Sequence, residues 1–388
     1  MFHIADADEI RQGKITDVYF IRTLEVLKAR GIDKRVRAEF IVKTLPGNAA
    51  WAIFAGLEEL AEVVRGLDVR MRAMREGTII RPYEPVLEVE GMYTDFAAFE
   101  TTMLGLICQA SGVATKAARC KKAAQGRAVI SFGARRVHPA IAPMVERNAY
   151  LGGCDGVSVP FAAGMIGEEA SGTMPHALIL VMGDTVEAAE AFDEVVDGAV
   201  RRIVLIDTFN DEKVEAVRVA EALKNRLYGV RLDTPYSRRG NFARILEEVR
   251  WELNLRGHGH VQIYVSGGID EAQMADLNPY VDGYGIGTTI SNARVLDFAM
   301  DIVEIEGRAL AKRGKMSGSK RVLRCTRCRR DRVVPSSAGE AGACPCGGPM
   351  EDLLVPWYDG RKFLFESETP QAIRKRVLGE VAHFGLDS

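Results

Sequence analysis

Four short segments end an apolar run on residues suited to holding an anion or a polar ring substituent. They are Asp207 in IDT, Arg231 and Asp233 in RLDT, Ser266, Gly267 and Gly268 in VSGGID, and Gly287 with Thr288 in GYGIGT. Glycine-rich turns between a strand and a helix expose backbone N–H groups, and two in succession predict a site for a phosphate monoester. Carboxylates at strand ends suit ribose hydroxyls or a Mg²⁺-bound diphosphate. Arg231 shares a face with Asp233 by the two-residue period of a strand. Upstream, SFGARR places Phe132, Arg135 and Arg136 after another apolar run. A planar aromatic ligand carrying a carboxylate would stack on such a ring and bond to a guanidinium. His176, in SGTMPHALI, precedes an apolar run read as a strand. There it would serve as a phosphoryl acceptor or a general acid or base. Singly, each feature has a structural explanation: a helix N-cap for the Asp, a tight turn for the Gly, core packing for the Phe, scaffolding for the His.

A second pattern concerns metal. Cys325-x2-Cys328 and Cys344-x-Cys346, with fifteen residues between the pairs, have the spacing of a tetrahedral Zn²⁺ held by four thiolates. With no open ligand position, such an ion is structural rather than hydrolytic. The remaining cysteines, Cys108, Cys120 and Cys154, are scattered, and an odd total with one tight cluster fits a reducing compartment. Between Arg308 and Arg332 lie eleven Lys and Arg against one Asp. That stretch predicts a nucleic-acid-binding ribbon, an anion site for a highly charged small substrate, or a solvated basic surface.

The elements that must position these residues divide by texture. In 1–112, TDVYFIRTLEVLKARG reads as an amphipathic helix ending at Gly31, AEFIVKTL as a strand, 77–91 as two short strands, and 96–126 as two helices with a glycine-containing break. In 113–295, seven apolar runs alternate with helical stretches: AVISFGAR, GCDGVSV, HALILVMGDT, RIVLIDTFN, GVRLDT, VQIYVSGGI and VDGYGIGT. Repeated β/α units with functional residues at strand C-termini predict an α/β fold built on an irregular α/β barrel, with a doubly wound open sheet as the alternative. Residues 296–388 form a small C-terminal domain with the four-cysteine zinc knuckle, an LLVPWY run and the amphipathic helix TPQAIRKRVLGEVAHF.

The 388 residues balance 51 Lys and Arg against 53 Asp and Glu and are 47% hydrophobic, the composition of a soluble globular chain of two or three domains. The strongly apolar runs fall well short of the ~20 residues that cross a bilayer. The start, MFHIADADEIRQGK, carries acids where a signal peptide needs a basic region. A cytoplasmic protein is expected.

TDVYF, SFGARR, GGCDGVS, SGTMPHAL, IDTF, RLDT, SGGI and GYGIGT occur in this order, and over essentially its whole length the chain resembles the nicotinate phosphoribosyltransferases. It is similar to their shorter archaeal and bacterial branch, which ends in a zinc-knuckle domain. The resemblance implies the type II phosphoribosyltransferase fold and the joining of nicotinic acid to 5-phosphoribosyl 1-diphosphate (PRPP) in NAD salvage. It implies that Phe132 and Tyr19 from a neighbouring subunit sandwich the pyridine, with Arg135 near its carboxylate or the phosphate. Asp207, Arg231 and Asp233 would hold ribose and diphosphate with Mg²⁺, while Ser266, Gly267, Gly268, Gly287 and Thr288 would surround the 5′-phosphate. AKRGKMSGSK resembles the family's PRPP-binding strip, making Lys315 and Lys320 diphosphate ligands across a dimer interface and leaving nucleic acid out of the account. His176 matches the histidine that members phosphorylate with ATP. TMPH, and Thr-Pro-Tyr where the family has Ser-Gly-Asp after RLD, set ATP coupling apart from the transferase assignment. Quinolinate phosphoribosyltransferase, which SGVAT resembles, and nicotinamide phosphoribosyltransferase, with which FGAR and Asp155 are compatible, are the enzymatic alternatives.

Overall fold

The structure, a computed structural model, describes residues 2–339, 342–365 and 368–386. It contains two compact units, Lys116–Ala293 and the combination of Met1–Thr115 with Arg294–Ser388.

The first unit is built on six strands: β1 (Ala128–Ser131), β2 (Gly156–Val157), β3 (Arg202–Leu205), β4 (Leu227–Leu232), β5 (Gln262–Val265) and β6 (Gly283–Ile286). They pair in the order β2-β1-β6-β5-β4-β3, and every pairing is parallel. This order follows the chain cyclically, so the strands curl as a half-barrel open only between β2 and β3. The strands are nearly continuous apolar runs because a parallel sheet is covered on both faces; β3 and β6 are buried throughout.

The opening corrects one expectation. HALILVM is not a seventh strand but the helix His176–Met182, closed by Gly183 at φ 90°. Ala, Leu and Met favour helix, and Gly is the residue that most readily adopts the left-handed cap. The segment before it occupies the gap instead. Ser171 N donates to Val157 O at 2.8 Å and Met174 N to Ile203 O at 3.3 Å, so SGTM spans from β2 to β3 and delivers His176 beyond the β3 edge.

The other unit holds a six-stranded antiparallel sheet in the order Arg308–Ala309, Phe298–Ile305, Arg35–Val42, Pro85–Met92, Val69–Ala73, Val355–Tyr358. Strands from 294–388 therefore complete a sheet begun by the N-terminal residues, over a core that includes Phe40, Phe54, Met71, Leu87 and Trp357. Three shorter strands, Asp331–Pro335, Lys320–Cys325 and Met350–Asp352, carry the cysteine pairs. The helix Val18–Arg30 ends at Gly31 with φ 58°, and Pro370–Val381 begins at an N-cap Thr369 with Pro in its first turn.

The two helices expected in 96–126 are one, Glu100–Ala123. Gly112 does not break it, because its role is close approach: a Cβ there would lie 2.4 Å from the Arg294 carbonyl oxygen. The longer stretch Tyr93–Ala123 is long and apolar enough to span a bilayer by length and composition, which single apolar runs did not reveal. Half of its apolar window is buried inside the protein, the condition of a core helix.

Candidate active site

The C-terminal ends of β3, β4 and β5 converge on a cluster of ionisable groups. Asp207 follows β3 and Asp233 follows β4; Asp233 N donates to Asp207 Oδ2 at 3.2 Å, and Ser266 Oγ donates to Asp233 Oδ1 at 2.7 Å. His176 Nδ1 lies 2.9 Å from Thr208 Oγ1. That contact turns Nε2 toward both carboxylates, 3.7 Å from Asp207 Oδ1 and 3.8 Å from Asp233 Oδ2. The Asp207 side chain is 3% exposed. Burial pushes its pKa up, opposed by His176 and reinforced by the second carboxylate, Asp233. Arg231 is half-buried, its pKa drawn down by that burial although Asp233 and Asp207 favour its charge. Its guanidinium carbon lies 5.4 Å from the centroid of the Phe132 ring.

Two buried atoms in this cluster, Asp207 Oδ1 and Arg231 Nε, have no hydrogen-bond partner among the described residues. Buried polar atoms are normally paired, and exceptions inside a cluster of ionisable groups leave bonding that a ligand can complete. Phe132 continues the β1 ladder, donating its N–H to Ile286 O at 2.8 Å. Its ring lies over Gly285, where a Cβ would come within 2.3 Å of Cε2. Glycine at 285 is thus what admits the ring. Gly267 and Gly268 have φ of 84° and 73°, a left-handed pair whose N–H groups are free to form an anion-binding concavity. Gly287 precedes the short helix Thr288–Ser291 after β6. Arg135 and Arg136 are exposed on the turn Ala134–Arg136.

Two residues that the sequence reading passed over support this floor. Glu146, fully buried, accepts from Ser131 Oγ at 2.7 Å and from Ser158 N at 2.5 Å, tying β1 to β2; burial raises its pKa. The sequence signal was a glutamate on the apolar face of the helix Ala142–Leu151. Arg239, 6% exposed, donates Nε to Thr234 O at 2.8 Å and Nη2 to Ser266 O at 2.9 Å and to Gly267 O. One of two adjacent arginines after a Pro turn carries no motif that would have distinguished it.

The remaining expected ligands sit on other elements of the chain. Asp155 precedes β2, at the opposite end of the strands. It accepts from Val129 N at 2.8 Å and pairs with Lys121 at 2.6 Å, pinning the start of the sheet. Tyr19 is 55% exposed on Val18–Arg30, in the antiparallel unit. The two strip lysines of that unit point inward. Lys315 is ion-paired with Asp301, and Lys320 gives its three protons to Glu39 Oε2 at 2.7 Å, Met316 O at 2.8 Å and Gly318 O at 3.0 Å. Arg321 pairs with Asp352, Arg324 with Asp331 and Arg329 with Glu380. Much of the basic stretch is therefore neutralised by acids, from Asp331 within it to Glu39 281 positions away.

The four cysteines do come together: their sulfurs lie within 4.8 Å of one another, with Cys325–Cys346 at 3.4 Å and Cys328–Cys344 at 3.5 Å. A tetrahedral thiolate site with ~2.3 Å bonds has sulfurs about 3.8 Å apart, so this group has the dimensions to hold a metal ion. Gly348 permits the closure, since a Cβ there would lie 2.6 Å from Cys325 Sγ.

Residues 17–111 match the quinolinate phosphoribosyl transferase N-terminal domain and residues 113–301 its C-terminal domain. A solved nicotinate-nucleotide pyrophosphorylase from Pyrococcus furiosus is 51% identical, with a TM-score of 0.97 over 99% of this chain and 98% of that one. Human nicotinic acid phosphoribosyltransferase, 20% identical with a TM-score of 0.73 over 95% and 94% of the two chains, shares the fold. Nicotinate phosphoribosyltransferase pncB2 of Mycobacterium tuberculosis is 30% identical over 92% of this chain and 84% of its own. Identity sustained across most of both sequences is common descent rather than shared architecture alone, and this chain belongs to the nicotinate phosphoribosyltransferase family.

Proposed function

We propose that the strand-end cluster joins nicotinic acid to PRPP, giving nicotinate mononucleotide and diphosphate for NAD salvage. The observation that carries the site assignment is the pair of buried, unsatisfied atoms, Asp207 Oδ1 and Arg231 Nε, beside a free left-handed glycine pair. Gly267 and Gly268, with Ser266, Gly287 and Thr288, receive the 5′-phosphate. Asp207 and Asp233 take the ribose hydroxyls, and Phe132 stacks on the pyridine, covered by Tyr19 of the partner subunit in a homodimer. Arg135 reaches the nicotinate carboxylate. As the diphosphate departs, positive charge develops on the ribose ring. The two carboxylates are fixed where they stabilise it, and alignment of the pyridine nitrogen supplies much of the remaining acceleration. Mg²⁺ bound with PRPP would neutralise the leaving group, held from the protein side by Asp207 and Asp233. Zn²⁺ is the ion whose geometry the four cysteines fit, in a structural role. His176 is the phosphoacceptor if ATP is coupled, with Nε2 directed into the cluster.

The matched domains bear the name of quinolinate phosphoribosyl transferase, which makes a second pyridine substrate, quinolinate, the competing reading. The test is product formation from PRPP and Mg²⁺ with nicotinate, nicotinamide and quinolinate offered separately, each with and without ATP. Nicotinate mononucleotide from nicotinate, with the other two inert, is the expected result. Turnover of quinolinate with nicotinate inert overturns it, and stimulation by ATP with label on His176 assigns the coupling.

A further inference from the structure

Asp233 is followed by Thr-Pro-Tyr-Ser-Arg-Arg-Gly, and this segment forms a single helical turn, Tyr236–Arg239, that folds the chain back on itself. Arg239 N donates to Pro235 O at 3.1 Å. The turn buries the Arg239 side chain without giving it a carboxylate: no ion pair to it occurs among the described residues. Its donors go instead to three carbonyls, Thr234 on the β4 side and Ser266 and Gly267 on the β5 side. A buried guanidinium with no ion pair, its Nε and Nη2 given to backbone oxygens and its carbon 4.7 Å from the Phe242 ring centroid, is costly unless the backbone it holds matters.

What it holds can be read from peptide geometry. Across a trans peptide the C=O and N–H point in opposite directions, and the described chain contains no cis bonds. With the carbonyls of Ser266 and Gly267 turned onto the guanidinium, the N–H groups of Gly267 and Gly268 face away from it. Among the described residues neither donates to a protein acceptor. The positive charge behind the carbonyls polarises both peptides in the sense that strengthens the N–H ends. The same glycine meets the catalytic cluster: a Cβ at Gly267 would lie 2.9 Å from Asp233 Oδ1 and 3.0 Å from Arg239 Nη2.

We infer that Arg239 is a positioning residue that presets the Ser266–Gly268 backbone to receive the phosphate of the ribosyl substrate and sets its distance from Asp233. This rests on the phosphate-site reading above. Arg239 does not touch substrate; it acts through the loop, from the side opposite the ligand.

The test is calorimetric binding of ribose 5-phosphate and, separately, of nicotinate to the full-length protein, with steady-state kinetics alongside. Arg239→Ala is expected to weaken ribose 5-phosphate about tenfold to a hundredfold and to raise KM for PRPP in parallel, since charge-assisted bonds are lost. Nicotinate affinity should change less than about twofold, and added guanidinium should restore part of the phosphate affinity. Arg239→Lys keeps the charge but cannot reach three carbonyls at once, so it should show the same split and decides the matter if the alanine variant does not fold. Parallel loss of both ligands, or unchanged phosphate affinity in a folded variant, overturns the inference. Failure of the unaltered protein to bind ribose 5-phosphate sinks the phosphate site itself. Binding that survives in the unaltered protein and equally in both variants sinks only the role of Arg239.

Discussion

Two polar regions of this chain are built from similar residues and differ in what they leave unfinished. In the antiparallel unit, the stretch richest in Lys and Arg is closed on itself: Lys320 uses three donors on Glu39 and two carbonyls, and Lys315 and Lys312 both reach Asp301. Individual buried atoms there still lack hydrogen bonds, such as Arg37 Nε and Arg329 Nε, but both side chains already hold carboxylates within 3.0 Å. At the ends of β3 to β5 the charge density is lower. There Asp207 accepts one backbone N–H, from Asp233, and has His176 across 3.7 Å, and Arg231 lies over an aromatic ring with no ion pair among the described residues. The lesson is that charge counted along a sequence locates solvation problems, whereas function collects where folding leaves a charge unsolved.

The largest effect should come from removing a charge from the unfinished region. Asp233→Asn should lower turnover by about a thousandfold, the scale of a lost transition-state electrostatic contact, with the melting temperature nearly unchanged because the side chain is one-third exposed. Steady-state kinetics beside thermal melts reads both. Activity within threefold of the parent in a folded variant would show that the cluster is not the reaction site.

The closed region should respond in the opposite way. Lys320→Met leaves Glu39 buried and unpaired, a change worth about 3 kcal/mol of stability, while KM for PRPP in the remaining folded protein stays where it was. Adding Glu39→Leu should recover much of the loss in a denaturant titration. A rise in KM without a fall in stability would return Lys320 to the diphosphate, where the family resemblance had placed it. Next in size comes the cysteine cluster. Chelation or Cys325→Ser should cost about 2 kcal/mol through the small sheet that carries Arg324. Calorimetry should show a lower melting temperature with turnover per folded molecule retained; turnover lost at unchanged stability would make the metal catalytic.

Much of both regions was legible in the sequence because it rests on local rules. Gly31 and Thr369 mark helix ends by their chemistry, β4 and β5 are apolar runs between turn residues, and Cys-x2-Cys with Cys-x-Cys announces a tetrahedral site. What was not legible depends on contacts between distant residues. Lys320 meets an acid 281 positions away and Gly112 a carbonyl at Arg294, so the internal pairing of a basic strip does not show in its own sequence, and a glycine read as a break is a contact. HALILVM failed for a different reason: a short apolar run has no period to separate strand from helix, and the edge it was expected to fill was taken by SGTM. Arg239 left no pattern because its partners are backbone carbonyls, which every sequence has, and Glu146 showed only as an acid on the apolar face of a helix.

One carboxylate crosses the division and gives the finest test of it. Glu100 lies in the closed unit, yet it makes no ion pair among the described residues; Lys312, the cation that acts on it, pairs with Asp301 at 2.8 Å. Burial pushes its pKa up to about 7 from 4.5, with Lys312 pulling it down and Asp17 adding to the rise. The sign follows from proton counting. Between these two values the folded protein binds more protons than the unfolded chain, so stability falls as pH rises through that window and is unaffected by this group below it. The full shift would correspond to about 3 kcal/mol, but the side chain is partly solvated and screening reduces this to about 1 kcal/mol. Glu100→Gln should therefore flatten the decline in stability between pH 5 and about 7 in denaturant titrations and leave the pH 4 value within error. An unchanged slope would mean that Lys312 moves to Glu100 in solution, and that the closed region is closed there as well.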